Sequence, residues 1–142
     1  MCSVERFTRY GRPLTRYGVS LVFLVFGVWQ LVDPTSWYGY LPSYTAQYIS
    51  NEALLLLNGT FDTIIGALLL VGLFTRWTAL LGALHLVSVT TTLGWNDLAV
   101  RDAGLGIVLL GIFLTGTDDL CIDKKIVDIK KTRLGKILYL FD

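Results

Sequence analysis

Charge is scarce in this 142-residue chain: Asp, Glu, Lys and Arg make up 16% of it, against roughly 25% in a typical soluble domain, and its mean hydropathy is +0.60. Those values exclude an ordinary soluble globular domain of this length. Cysteine is limited to Cys2 and Cys121, which show neither a CxxC pair nor a zinc-like Cys/His spacing, so no disulfide framework and no metal site are expected. His85 is the only histidine, which excludes bis-histidine haem ligation within the chain, and two isolated cysteines do not hold an iron-sulfur cluster. No GxGxxG follows a strand-like segment and no nucleophile-base-orienter set is present, so the chain carries no evident redox cofactor of its own and hydrolytic chemistry is unsupported. A net charge of +1 with no basic patch of the relevant kind gives nucleic-acid binding no support.

What is present is long hydrophobic runs. The stretch Ala53–Phe74, ALLLLNGTFDTIIGALLLVGLF, is long enough to cross a bilayer yet carries a carboxylate, Asp62, near its middle. Its thirteen Leu, Ile, Val and Phe residues favour insertion by roughly 4 to 8 kcal/mol in total, which outweighs roughly 2.5 to 3.5 for one central Asp. Asn58, Gly59, Asp62, Thr63 and Gly66 form one small, polar helical face, so Asp62 is expected to point into a bundle and away from lipid.

A basic flank, Met1–Arg16, precedes this, with Gly11 and Pro13 expected to interrupt any long helix. A first span follows over Tyr17–Val32 and stops at Asp33-Pro34; its stripe Ser20, Phe23, Gly27 and Gln30 is expected to face the bundle. Residues 33–52 hold no Lys or Arg but gather Trp37, Tyr38, Tyr40, Tyr44 and Tyr48, which reads as a short aromatic interfacial segment or lid. The second span connects to the third, Trp77–Leu93, through Thr75-Arg76 alone, which makes the two adjacent and antiparallel. At about 1.5 Å per residue, Asp62 and His85 then lie at similar depth, roughly 12 to 13 Å below the outer ends of their helices. Gly94–Val100 forms a turn, and a fourth span, Leu98–Leu114, carries Gly104, Gly106 and Gly111, which are expected to allow close helix approach.

The tail after Asp123 interleaves Lys124, Lys125, Lys130, Lys131, Arg133 and Lys136 with apolar residues, a pattern suited to an anionic leaflet. The domain reading is therefore a four-span membrane unit over 1–123 and a basic amphipathic cytoplasmic tail over 124–142. Counting Lys and Arg by connection gives eleven on one side and Arg101 alone on the other, which places both termini in the cytoplasm.

Ionisable residues inside a membrane are functional suspects by default. The candidate polar pocket is Asp62, His85, Asn58, Gln30, Arg101 and Asp102, all between mid-membrane and the outer surface. The competing reading is a purely structural set of interhelical hydrogen bonds, favoured for Gln30 and for the neighbouring Ser88 and Thr92. Arg101 and Asp102 are sequence neighbours and are expected to face different partners.

Three stretches, YGVSLVFLVFGVWQLVDP, the acid-containing span running into GLFTRWTALLGALHLV, and RDAGLGIVLLGIFLTGTDDLCID, resemble the DoxX-like family of small four-helix membrane proteins, which includes the DoxD type. The resemblance implies a multi-pass protein of a prokaryotic plasma membrane, belonging to a family named for a subunit linked to thiosulfate:quinone oxidoreduction. Asp62 stands where that family often has a Glu. The expected fold is thus an all-α integral membrane four-helix bundle. The expected function is the membrane component of a quinone-linked redox or sulfur-oxidation assembly, with a partner subunit or a second copy of the chain, and with no catalysis by this chain alone. In that reading Asp62 and His85 accept protons beside a quinone or small substrate, and Arg101 attracts an anion such as thiosulfate. A small-solute carrier or channel, and an assembly factor or scaffold without chemistry, are the alternatives.

The orientation is open to a direct check. Single cysteines placed in residues 33–52 and 94–100 should react with a membrane-impermeant thiol reagent applied to intact cells, and Cys121 should not; labelling of Cys121 from outside would contradict the charge count.

Overall fold

The computed structural model describes residues 2–94 and 96–129 of the chain. Five helices, α1 Cys2–Val32, α2 Asn51–Val71, α3 Thr75–Leu93, α4 Asp97–Thr115 and α5 Ile122–Ile129, account for most of them, and no strand occurs among the described residues. Three stretches are long and apolar enough to cross a membrane: Tyr10–Val32 within α1, and all of α2 and α4. The helix α3 has similar length but falls short in hydropathy, since its sequence includes Arg76, His85, Ser88 and three consecutive threonines, Thr90 to Thr92.

Helices α1 and α2 pack along their length, as do α3 and α4, whereas α2 touches α3, and α1 touches α4, at few points. The two-residue connection expected between the second and third spans is in fact Gly72-Leu73-Phe74, and Thr75 and Arg76 already belong to α3. The shared core joins both pairs: Val19 and Phe23 of α1, Ile65 and Leu69 of α2, Ala79, Ala83 and Leu86 of α3, Leu109 and Ile112 of α4.

The α1–α2 crossing is close because glycines form it. A Cβ on Gly27 would lie 2.6 Å from the Thr63 backbone nitrogen, and one on Gly59 would lie 2.9 Å from the Gly27 carbonyl oxygen. Neither position has room for a side chain. The expectation that Gly104, Gly106 and Gly111 mediate close approach fails: added Cβ atoms there would meet nothing within 4 Å. On α4, approach to α3 runs instead through Leu109, whose Cδ1 would lie 3.2 Å from a Cβ on Gly82.

The N-terminal reading also needs correction. Helix α1 runs unbroken through Gly11 and Pro13, so the proline removes one backbone rung without ending the helix. Arg16, counted with the basic flank, is the largest fully buried side chain of the described residues. Its Nε donates to Asp118 Oδ2 at 2.7 Å, its Nη2 to Asp118 Oδ1 at 3.2 Å, and its Nη1 to the Leu69 and Leu70 carbonyls at the C-terminus of α2, where the Leu69 carbonyl also accepts from the Gly72 N–H.

The closing segment after α4 completes this inner end. Helix α2 stops at Gly72, which is left-handed (φ +68°) and whose missing Cβ leaves room for Cys121; a Cβ there would come within 2.7 Å of the Cys121 sulfur. The Asp123 carboxylate accepts from the Phe74 and Thr75 N–H groups at 2.8 and 2.9 Å, so α3 is capped by a residue 48 positions away. The short helix α5 begins at this cap; the rest of the tail, from 130, lies outside the described residues.

Burial alone would push the Asp118 carboxyl up, but hydrogen bonds from Arg16 and from the Leu120 N–H outweigh it and hold Asp118 below the usual carboxylate range. A depressed carboxylate contributes stability that is full at neutral pH and is lost as pH falls through its folded-state value. Arg16→Met should therefore lower stability in detergent unfolding by about 3 to 5 kcal/mol at pH 7. The gap between the two proteins should narrow as pH falls, starting where Asp118 takes up a proton in the variant, its burial there no longer offset by Arg16, and should be smallest once Asp118 is protonated in both; a gap independent of pH would contradict the pairing.

Candidate functional site

At the other end of the bundle from Asp118 the helices enclose a cavity of about 280 Å³. Every residue of the expected polar pocket lines it: Gln30 from α1, Asn58 and Asp62 from α2, His85 from α3, Arg101 and Asp102 from α4. Ser88 and Thr92, assigned above to structure, line it as well.

The polar groups form a chain across helices. Asn58 sits one turn before Asp62 on α2, and its Nδ2 donates both to Asp62 Oδ2 at 3.2 Å and to Gln30 Oε1 of α1 at 2.8 Å. The Gln30 contact depends on the glycine crossing, since a Cβ on Gly59 would lie 3.0 Å from that of Gln30. From α3, His85 Nε2 comes within 3.2 Å of Asp62 Oδ1. The two atoms are at ion-pair distance without an aligned hydrogen bond, and both are buried with no other hydrogen-bond partner among the described residues. Phe61 backs the imidazole, its ring centroid 4.4 Å from that of His85. The depth matching made from helix lengths thus brings the only histidine against the only mid-span acid.

Arg101 and Asp102 differ from expectation. They bond each other, Arg101 Nε and Nη2 donating to Asp102 Oδ1 at 2.9 and 2.7 Å. Neighbouring positions on a helix diverge at Cβ, but the arginine stem is long enough to curl back. Its guanidinium also lies over the Phe26 ring of α1, 4.0 Å from the centroid, and so bridges the sparsely packed α1–α4 seam.

The outer cover is aromatic. After α1 the chain makes two short 3₁₀ turns, Pro34–Tyr40 and Thr45–Gln47, and Tyr44 reaches across to α3, donating its hydroxyl to the Thr92 carbonyl at 3.3 Å. Tyr38, Tyr40, Tyr44 and Tyr48 are exposed, as interfacial side chains should be. Trp37 is not: it is buried, packed on Phe26, Trp29 and Tyr40 with ring centroids 5.5 to 6.0 Å apart, and lines the cavity. Its indole Nε1–H has no acceptor among the described residues. Sequence reasoning placed Trp37 with the anchoring aromatics, and its position directly after the Asp33-Pro34 helix stop was the only sign that it turns inward.

Toward Asp118 the cavity gives way to the apolar core of Phe23, Ile65, Ala83 and Leu109. The walls are mostly apolar, and the unsatisfied atoms are one donor, Trp37 Nε1, and the facing pair His85 Nε2 and Asp62 Oδ1. Such a site can bury the apolar body of a small ligand against its walls and offer hydrogen-bonding groups to polar atoms at the ligand's edge.

Helices of bilayer length around a polar cluster define a membrane protein. Comparison with protein families narrows that class: residues 12–95 match the family model described as DoxX, more than half of the chain, and the chain belongs to the DoxX family. The match takes in α1, α2 and α3 with Asp62 and His85, and ends before α4, so Arg101, Asp102 and the closing segment lie beyond it. Comparison with curated proteins and with solved structures returned no match.

Proposed function

We propose that this DoxX-family protein is a four-span bundle with both termini in the cytoplasm of a prokaryotic cell, acting as the membrane component of a quinone-linked redox or sulfur-oxidation assembly. The fourth span in this reading is α3, which packs antiparallel along α4 and must share its depth if α4 crosses the membrane. The observation that carries the functional reading is the convergence of an unbonded Asp62–His85 pair and an unbonded Trp37 N–H on one largely apolar cavity.

Reducing a quinone to its quinol takes two electrons and two protons. The electrons come from a partner subunit. Asp62 and His85 hold one proton at the cavity wall and give it to a ring oxygen, and the second proton follows through the same pair after water at the cavity mouth has recharged it. Trp37 donates a hydrogen bond to a carbonyl oxygen, and the aromatic cover keeps bulk water from the pair. Supporting this reading over a solute conduit is the apolar packing of Phe23, Ile65, Ala83 and Leu109 on the side of the pair toward Asp118. The residues from 124 onward are a separate cytoplasmic tail in this proposal, because among the described residues the last side chain that caps a bundle helix is Asp123.

Purification in mild detergent, with analysis of bound quinone and co-purifying subunits, tests the proposal. Quinone should accompany the native protein and be depleted severalfold in Trp37→Leu. Protein purified free of both quinone and partner subunits would contradict it.

A further inference from the structure

The charge arrangement inside the cavity bears on what it admits. The charged or titratable groups lining it are Asp62 on α2, His85 on α3, Arg101 and Asp102 on α4, and the phenol of Tyr40 in the aromatic cover; α1 contributes none. Arg101 directs two of its nitrogens to one oxygen of Asp102, and its flat face is covered by Phe26. Its positive charge is thus matched within the cavity wall before any ligand arrives. Asp62 remains, facing His85. With His85 neutral the lining carries one net negative charge, and with His85 protonated it carries none. In neither state is it positive, and with apolar walls around it the field of an unmatched carboxylate is weakly screened.

We infer that Asp102 sets the ligand specificity of the outward cavity: by neutralising Arg101 it restricts the site to uncharged ligands and excludes anions. The inference rests on the proposed quinone site and specifies its substrate class. It also separates two roles that the sequence alone assigns together, since a wall that binds a neutral ring does not also collect an anion such as thiosulfate through Arg101. An anionic reductant, if the assembly uses one, reacts on another subunit. The same arrangement makes Asp102 a positioning residue, holding the guanidinium against Phe26 across the α1–α4 seam.

Two matched probes test this on the purified full-length protein in nanodiscs, by calorimetric titration. A neutral naphthoquinone should bind, and the same ring carrying a sulfonate should bind at least about tenfold more weakly, since like-charge juxtaposition is costly in a desolvated site. Sodium thiosulfate should show no saturable binding to the native protein and should acquire it in Asp102→Asn, where Arg101 is released; Arg101→Gln in that background should abolish it again. Equal or tighter binding of the sulfonate overturns the inference and leaves the quinone reading in place. Failure of the native protein to bind the neutral ring, with thiosulfate binding appearing in Asp102→Asn, overturns the quinone reading and leaves the role of Asp102 standing. Should Asp102→Asn not fold, the sulfonate comparison on the native protein decides. A folded Asp102→Asn that takes no thiosulfate overturns the inference.

Discussion

Burying a carboxylate in the apolar middle of a helix is unfavourable unless polar groups meet it, and much of the arrangement of the outer half of this protein follows from that requirement at Asp62. Asn58 supplies one partner from the same helix and is itself held by Gln30 of α1; His85 approaches from α3. For Gln30 to reach Asn58, α1 and α2 must cross closely, which is the reason Gly27 and Gly59 oppose each other with no space for a Cβ. Toward Asp118 the polar chain gives way to the apolar core of Phe23, Ile65, Ala83 and Leu109, and the cavity ends there.

The inner end is closed by a second, independent set of contacts. Arg16 ties α1 to the α2 C-terminus and to Asp118, while Asp123 caps α3 and Cys121 fills the space below Gly72. Burial pushes the Cys121 thiol up, which keeps it a neutral packing group. With both ends fixed by polar contacts and the middle by apolar packing, helices that touch sparsely at α2–α3 and α1–α4 are held in register without needing tight contact there.

The sequence made the outer site legible for a physical reason: ionisable residues in hydrocarbon have few places to go, and two antiparallel helices joined by a short turn fix relative depth. That argument brought Asp62 to His85 and gathered Asn58, Gln30, Arg101 and Asp102 on one side of the membrane. The inner lock was not legible, since Arg16 lies in a run of arginines that reads as a flank, and its partner Asp118 is 102 positions away. Spacing rules for Cβ atoms misplaced Arg101, whose reach exceeds them, and glycines on α4 suggested a close approach that no described residue makes. Pro13 suggested a helix break where its cost is one lost rung.

The account depends most on Asp62 and His85 acting as one unit. A double-mutant cycle with Asp62→Asn, His85→Ala and the double variant, measured as unfolding free energy in detergent, tests this directly. If each residue satisfies the other, the double variant should be less destabilised than the sum of the two single effects, with a coupling above about 0.5 kcal/mol. Coupling within about 0.3 kcal/mol of zero would show that the residues share a depth without sharing a site, and would contradict the account.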